Sequence, residues 1–159
     1  MQDLYTMSVK EMAAKIKEGE ISPVEVVDAH IKRIEKVNPF LNAVVSNRFD
    51  EAREEARQAE EKVKSGGDLP PLHGVPCTIK DALSVKGMPF VGGVWARRDR
   101  TGEFDATVVE RTKKAGAIIL GKTNVPEASM WCETYNTVFG RTNNPHDTSR
   151  TCGGSSGGE

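Results

Sequence analysis

The sequence predicts an α/β fold, a mixed sheet flanked by helices, from three observations. Helix-period and strand-like segments alternate along the 159 residues. Two short apolar runs, "VPCTI" at 75–79 and "AIIL" at 117–120, have strand length and are bounded by glycines and polar residues. Polar residues gather where those runs stop, which is where ligands meet open α/β sheets.

The elements follow in order. Ser8 with Glu11 forms a capping box, and Val9, Met12, Ala13 and Ile16 then recur at helical spacing until Gly19. Ser22, Pro23 and Glu25 open a second helix with Val24, Val27, Ile31 and Ile34 on one face, predicted to end near Asn38-Pro39. "LNAVVS", 41–46, reads as a short strand. From Phe49 to Lys64 the chain is helical by propensity and mostly charged, with Ala52, Ala56, Ala59 and Val63 as a thin apolar stripe, the pattern of a solvated surface helix. "SGGDLPPLHG" is a turn or linker leading into the strand that ends at Lys80. Residues 83–104 are loop-like, Asp105 is placed to cap a helix reaching about Lys114, and "AGAIILGKTN" is an apolar strand with a turn on either side. No internal repeat is present.

With 22 basic and 23 acidic residues and a net charge of −1, no global field draws in nucleic acid or an anionic membrane. No apolar run reaches membrane-spanning length and the first residues lack the apolar core of a secretory leader, so the chain reads as soluble, with the cytoplasm as its expected compartment. Cys77, Cys132 and Cys152 are odd in number and far apart, which argues against a disulfide framework and against a zinc site. His30, His73 and His146 are scattered, and Cys152 has no matched histidine to make it a nucleophile.

Gly116 to Thr123 matches the phosphate-loop pattern G-x-x-x-x-G-K-[ST] letter for letter. Its mechanism needs a strand before the first glycine, pliant backbone between the glycines and a helix starting at the lysine. Here a helix-like segment precedes, the four intervening residues are apolar and strand-like, and Pro126 stands where the helix would run. The match is therefore read as turn, strand and turn.

Lys80 is the first informative charge. Apolar neighbours before it strip water from an ammonium and favour the neutral amine that a base requires. Asp81, adjacent on an extended chain, points to the opposite face and is expected to be structural. Thr78, Asn124 and Asn136 are expected to make turn and cap hydrogen bonds. "CGGSSGGE", 152–159, packs four glycines and two serines into six consecutive positions, too pliant for a helix or strand.

Together, "GVPCTIKD" at 74–81, "DATVVERTKKAGAIILGKTNVPE" at 105–127, "NTVFGRTNNP" at 136–145 and "GGSSGGE" at 153–159 resemble, in order and spacing, the landmarks of the amidase signature family. Met130-Trp131 and Glu159 are most similar to its fatty acid amide hydrolase-like branch. The resemblance implies hydrolysis of a carboxylic amide C–N bond by a Ser-cisSer-Lys triad without cofactor or metal. Lys80 would be the general base and Ser155, after a cis peptide bond, the relay. Met130, Trp131 and Ser156 would line the substrate site. The family's nucleophilic serine lies further along than Glu159, so the chain is expected to be the N-terminal portion of one amidase domain. It would comprise a helical front over 1–65 and the start of the catalytic core over 70–159, with an incomplete sheet, poor stability alone and no hydrolysis alone. The expected partner is a small-molecule amide, not nucleic acid, and a homodimer is compatible with it. Two alternatives stand beside this: a non-catalytic binding or assembly protein that keeps the amidase front half, and the amidase subunit of a tRNA-dependent amidotransferase.

Overall fold

The computed structural model describes residues 4–159, so the first three residues of the expected helical front lie outside the described part. Two compact units interleave along the sequence: one runs up to Glu35 and adds Arg48–Cys77 and Glu110–Leu120, the other comprises Lys36–Asn47, Thr78–Val109 and Gly121–Glu159.

Helices dominate the first unit. Helix α1, Val9–Glu18, opens on Ser8, whose Oγ accepts the Glu11 N–H at 3.2 Å, and closes on Gly19 at a φ of 74°. Helix α2, Pro23–Leu41, has the reciprocal capping box: Ser22 Oγ accepts from Val24 N–H at 3.0 Å and Glu25 Oε2 accepts from Ser22 N–H at 3.3 Å. We expect Ser22→Ala to cost about 1 kcal/mol, measured as a lower denaturant midpoint at unchanged slope. Helix α3, Phe49–Ser65, buries the alanine stripe Ala52, Ala56 and Ala59 against Val27, Ile31, Ile118 and Leu120. A second cluster joins Met12, Ile16, Val26 and Val75. The charged helix is thus a solvated one whose narrow alanine face lets it sit close on the core, as its pattern predicts.

In the second unit, α2 runs through Pro39 to Leu41, beyond the predicted stop. Pro39 falls in the last turn, where the turn is still closed by Asn42 N–H to Asn38 O at 2.7 Å, and Asn42 adopts the left-handed conformation that ends the helix (φ 52°). The Asn38 carboxamide oxygen then accepts the N–H groups of Ala43 and Val44, both at 2.8 Å, and turns the chain into β1, Val44–Asn47.

Strands β2, Pro76–Lys80, and β3, Ile118–Thr123, complete a three-stranded sheet in the order β1-β3-β2. β1 is antiparallel to β3. The bonds from Ile118 N–H to Val75 O and from Asp81 N–H to Thr123 O ascend together, so β2 and β3 run parallel and the sheet is mixed. Helix α4, Thr107–Lys114, precedes β3, and a small hairpin pairs β4, Tyr135–Asn136, with β5, Gly140–Arg141.

The turn predicted at the second glycine of the phosphate-loop look-alike is absent, and Gly121, Lys122 and Thr123 are buried strand residues. Gly121 continues β3 because β1 lies against it: a Cβ at this position would press on Ser46 O and Asn47. A helix before the first glycine and a straight strand after it leave no phosphate cradle.

Candidate active site

Strand alternation sorts the residues at the ends of β2 and β3 by face. On one side Thr78 and Thr123 meet Glu159 and Lys80 meets Ser155 and Ser156, and on the other Asp81 and Lys122 meet.

On the first side the glycine–serine loop closes over β2. Lys80 Nζ donates to Ser155 Oγ at 2.7 Å and to Ser156 Oγ at 3.0 Å, and the Gly154–Ser155 peptide is cis. The loop is glycine-rich because it lies flush on its support. A Cβ on Gly154 would press on the backbone of Trp131, Cys132 and Glu133, and one on Gly158 would strike Asn124 N and Ala43 O. The Glu159 carboxylate accepts hydrogen bonds from Thr123 Oγ1 at 2.5 Å and Thr78 Oγ1 at 3.1 Å, and Glu159 N–H reaches back to Ser156 O at 3.2 Å. It thereby ties the loop to both strands. An amine within hydrogen-bond reach of two hydroxyls can, when uncharged, take a proton from either.

The other side is closed. Lys122 is fully buried and Asp81 is 1% exposed, with Lys122 Nζ 3.1 Å from Asp81 Oδ1. The ammonium spends its other donors on Leu83 O at 2.7 Å and Pro89 O at 3.0 Å, and Asp81 Oδ2 accepts Gly92 N–H at 2.7 Å. Burial pushes the Lys122 ammonium below the ordinary lysine value, and the Asp81 charge opposes that shift. Asp81 therefore answers Lys122 rather than Lys80, and its structural character was legible from strand alternation. Lys122 itself was missed, because the apolar run ends two residues before it. The signal that could have found it was a lone carboxylate beside an apolar strand, which requires a buried cation.

Asn124 and Asn136, both buried, join Thr142 in a network: Asn136 Nδ2 donates to Asn124 Oδ1 at 2.8 Å, Asn124 Nδ2 to Thr142 Oγ1 at 3.0 Å, and Thr142 Oγ1 to Asn42 O at 2.6 Å. Asn136 Oδ1 also accepts Val138 N–H at 3.0 Å and Phe139 N–H at 2.7 Å, which closes the turn before Gly140. Met130 and Trp131 are 83% and 65% exposed in these 159 residues, and it is the Trp131 backbone that meets Gly154. Cys152 Sγ donates to Thr142 O at 3.3 Å. His73 is buried with Nε2 2.9 Å from Ala59 O, and His30 Nδ1 lies 2.8 Å from Val26 O. Among the described residues no group of three or more His, Cys, Asp or Glu side chains is placed to hold a metal ion, and no helix is long and apolar enough to cross a membrane.

Comparison with known proteins gives the frame for this geometry. A family model described as Amidase matches residues 25–159. The chain is 46% identical to fatty-acid amide hydrolase 2-A of Danio rerio, over 98% of this chain and 31% of that one. It is 44% identical to a glutamyl-tRNA(Gln) amidotransferase subunit of Carboxydothermus hydrogenoformans, over 98% of this chain and 32% of the relative. A crystal structure of a bacterial aryl acylamidase of the amidase signature family superposes with a TM-score of 0.90 at 38% identity, covering 96% of this chain and 32% of that structure. The chain thus spans about a third of the length of the relatives it matches, and its fold is a part of theirs. With four landmark segments in register and a family model that reaches from Glu25 to Glu159, the chain belongs to the amidase signature family.

Proposed function

We propose that this chain supplies the base and the proton relay of an amide hydrolase. What supports this is one observation: Lys80 Nζ lies 2.7 Å from Ser155 Oγ, within direct reach for proton transfer. In this reading the neutral Lys80 amine takes the Ser155 proton while Ser155 takes the proton of the attacking hydroxyl. That hydroxyl, on a serine supplied by the remainder of the enzyme, bonds to the amide carbon. As the C–N bond breaks, the proton returns from Lys80 through Ser155 to the leaving nitrogen. Water then releases the acid by the same relay. Ser156 shares the Lys80 amine and faces the substrate, and Met130 and Trp131 contribute to the acyl site. Residues 1–159 alone hold the base and the relay, and hydrolyse no amide.

The relatives' names span a fatty-acid amide, an aryl acylamide and a tRNA-linked amidotransfer, so this segment does not select one amide. The test is mass spectrometry of a fatty acyl amide, an acyl anilide and glutamine after incubation with the product of the longest reading frame containing this segment. Free acid from at least one is expected, and none from residues 1–159 alone. Cleavage of none by the long product overturns the proposal. Cleavage of glutamine only, dependent on added partner subunits, would instead select the amidotransferase reading, which the Carboxydothermus relative favours.

A further inference from the structure

The geometry points to Thr134 as the clasp of the serine loop: its one hydroxyl joins the two ends of the segment that presents Ser155 and Ser156 to Lys80. The effect on turnover rests on the amide hydrolase reading above, whereas the clasp itself does not.

Thr134 is fully buried. A threonine hydroxyl has one proton to give and two lone pairs to receive with. Here Thr134 Oγ1 donates to Gly153 O at 2.8 Å and accepts Gly157 N–H at 3.1 Å. The two bonds use opposite capacities of one atom, so a single rotor position satisfies both. Residues 153 and 157 bracket Gly154, Ser155 and Ser156, which hold the cis peptide and both hydroxyls on Lys80.

Other bonds fasten the loop outward. Gly153 N–H goes to Thr151 Oγ1 at 3.2 Å and Gly158 N–H to Asn124 O at 3.3 Å. Among the described residues, Thr134 is the side chain that links one end of the bracket to the other. Gly157 is glycine because a Cβ there would overlap Thr134 Oγ1 and Cys152 Sγ. The clasp is also rigidly mounted. Thr134 immediately precedes β4, and Thr142 N–H bonds its carbonyl at 2.9 Å, extending the β4–β5 ladder by one rung.

The Thr134 hydroxyl is buried and bonded to Gly153 O and Gly157 N–H rather than to either serine, so it acts through the loop and Thr134 is a positioning residue. Removing it leaves Gly157 N–H without its partner and Gly153 O with only the longer Cys152 Sγ contact at 3.6 Å, and lets the bracket open. The serine oxygens then lose their fixed distance to Lys80, and placement errors near one ångström are felt in turnover more than in binding.

The experiment compares Thr134→Val, which keeps the shape and loses the hydroxyl, with Thr134→Ser, which keeps the hydroxyl, in the product of the longest reading frame containing this segment. Hydrogen exchange of the 152–159 peptide is read beside kcat and KM. The wild type should protect the Gly157 amide. Thr134→Val should exchange it about 10-fold faster or more and lower kcat about 10- to 100-fold with little change in KM, and Thr134→Ser should restore both. An unprotected Gly157 amide in the wild type overturns the clasp even if the valine variant does not fold. Unchanged exchange in a folded Thr134→Val overturns it as well. Faster exchange with unchanged kcat in an active enzyme overturns the positioning role. Faster exchange in a protein that cleaves no amide supports the clasp and overturns the amidase reading instead.

Discussion

Replacing Lys80 with alanine in the product of the longest reading frame containing this segment is expected to lower amide turnover about 10²- to 10⁴-fold, the range lost when a positioned acid–base group is removed. Lys80 Nζ is the nitrogen that reaches both loop hydroxyls, at 2.7 and 3.0 Å, and alanine leaves nothing to take a proton from either. Ser155→Ala is expected to fall into the same range, because it cuts the relay while leaving the amine in place. The two losses are expected not to add. Once one member of a proton chain is gone the other has no task, so the double variant should be about as slow as the slower single one. Steady-state rates on the amide that the wild type cleaves best measure this. Wild-type turnover in Lys80→Ala would remove the base assignment, and additive losses would remove the relay.

The largest loss of stability is expected from Lys122→Met. The side chain fits the same space, but Asp81 keeps a buried carboxylate whose Oδ2 holds Gly92 N–H and whose Oδ1 has lost its cation. Breaking one partner of a buried pair costs about 3–5 kcal/mol, a large part of the roughly 5–15 kcal/mol that keeps a domain folded. Leu83 O and Pro89 O lose their donor in the same step. A second measurement follows from pH. Lys122 is a base whose folded-state value lies below 10.5, so in the window just under pH 10.5 the unfolded chain binds more protons and this group makes stability rise with pH. That contribution should vanish in Lys122→Met. Denaturant midpoints at several alkaline pH values would show it, and a midpoint equal to wild type would refute the buried pair.

Much of the fold was legible because its signals are local. Ser8 and Ser22 announce helix starts through spacing to Glu11 and Glu25, and the two hydroxyls accept the Glu11 and Glu25 N–H groups as the spacing predicts. The alanines of α3 show a face by period alone. The misses are non-local. Pro39 marks a helix end in isolation, but Asn42, where the helix stops, is held by its Nδ2 donating to Phe139 O at 2.7 Å and Arg141 O at 3.1 Å, far along the chain. The second turn of the phosphate-loop look-alike disappears because β1 covers Gly121 and Asp81 waits for Lys122, and neither partner is near in sequence. At the site, Lys80, Ser155 and Ser156 were named from pattern and resemblance. Thr134, Thr123 and the distribution of bonds around the loop were not, since a threonine that crosslinks two glycines has no sequence signature.

The opposed faces of β2 also make this region sensitive to parity. Lys80 and Asp81 are neighbours with unlike duties, one turned toward hydroxyls and the other toward a buried ammonium. Losing or gaining one residue in the strand would exchange their sides, carrying an amine against Lys122 and a carboxylate against the serines. A two-residue change would preserve the sides and shift only the depth. The local grammar of β2 is therefore binary, and frame within the strand matters there as reading frame does in a gene.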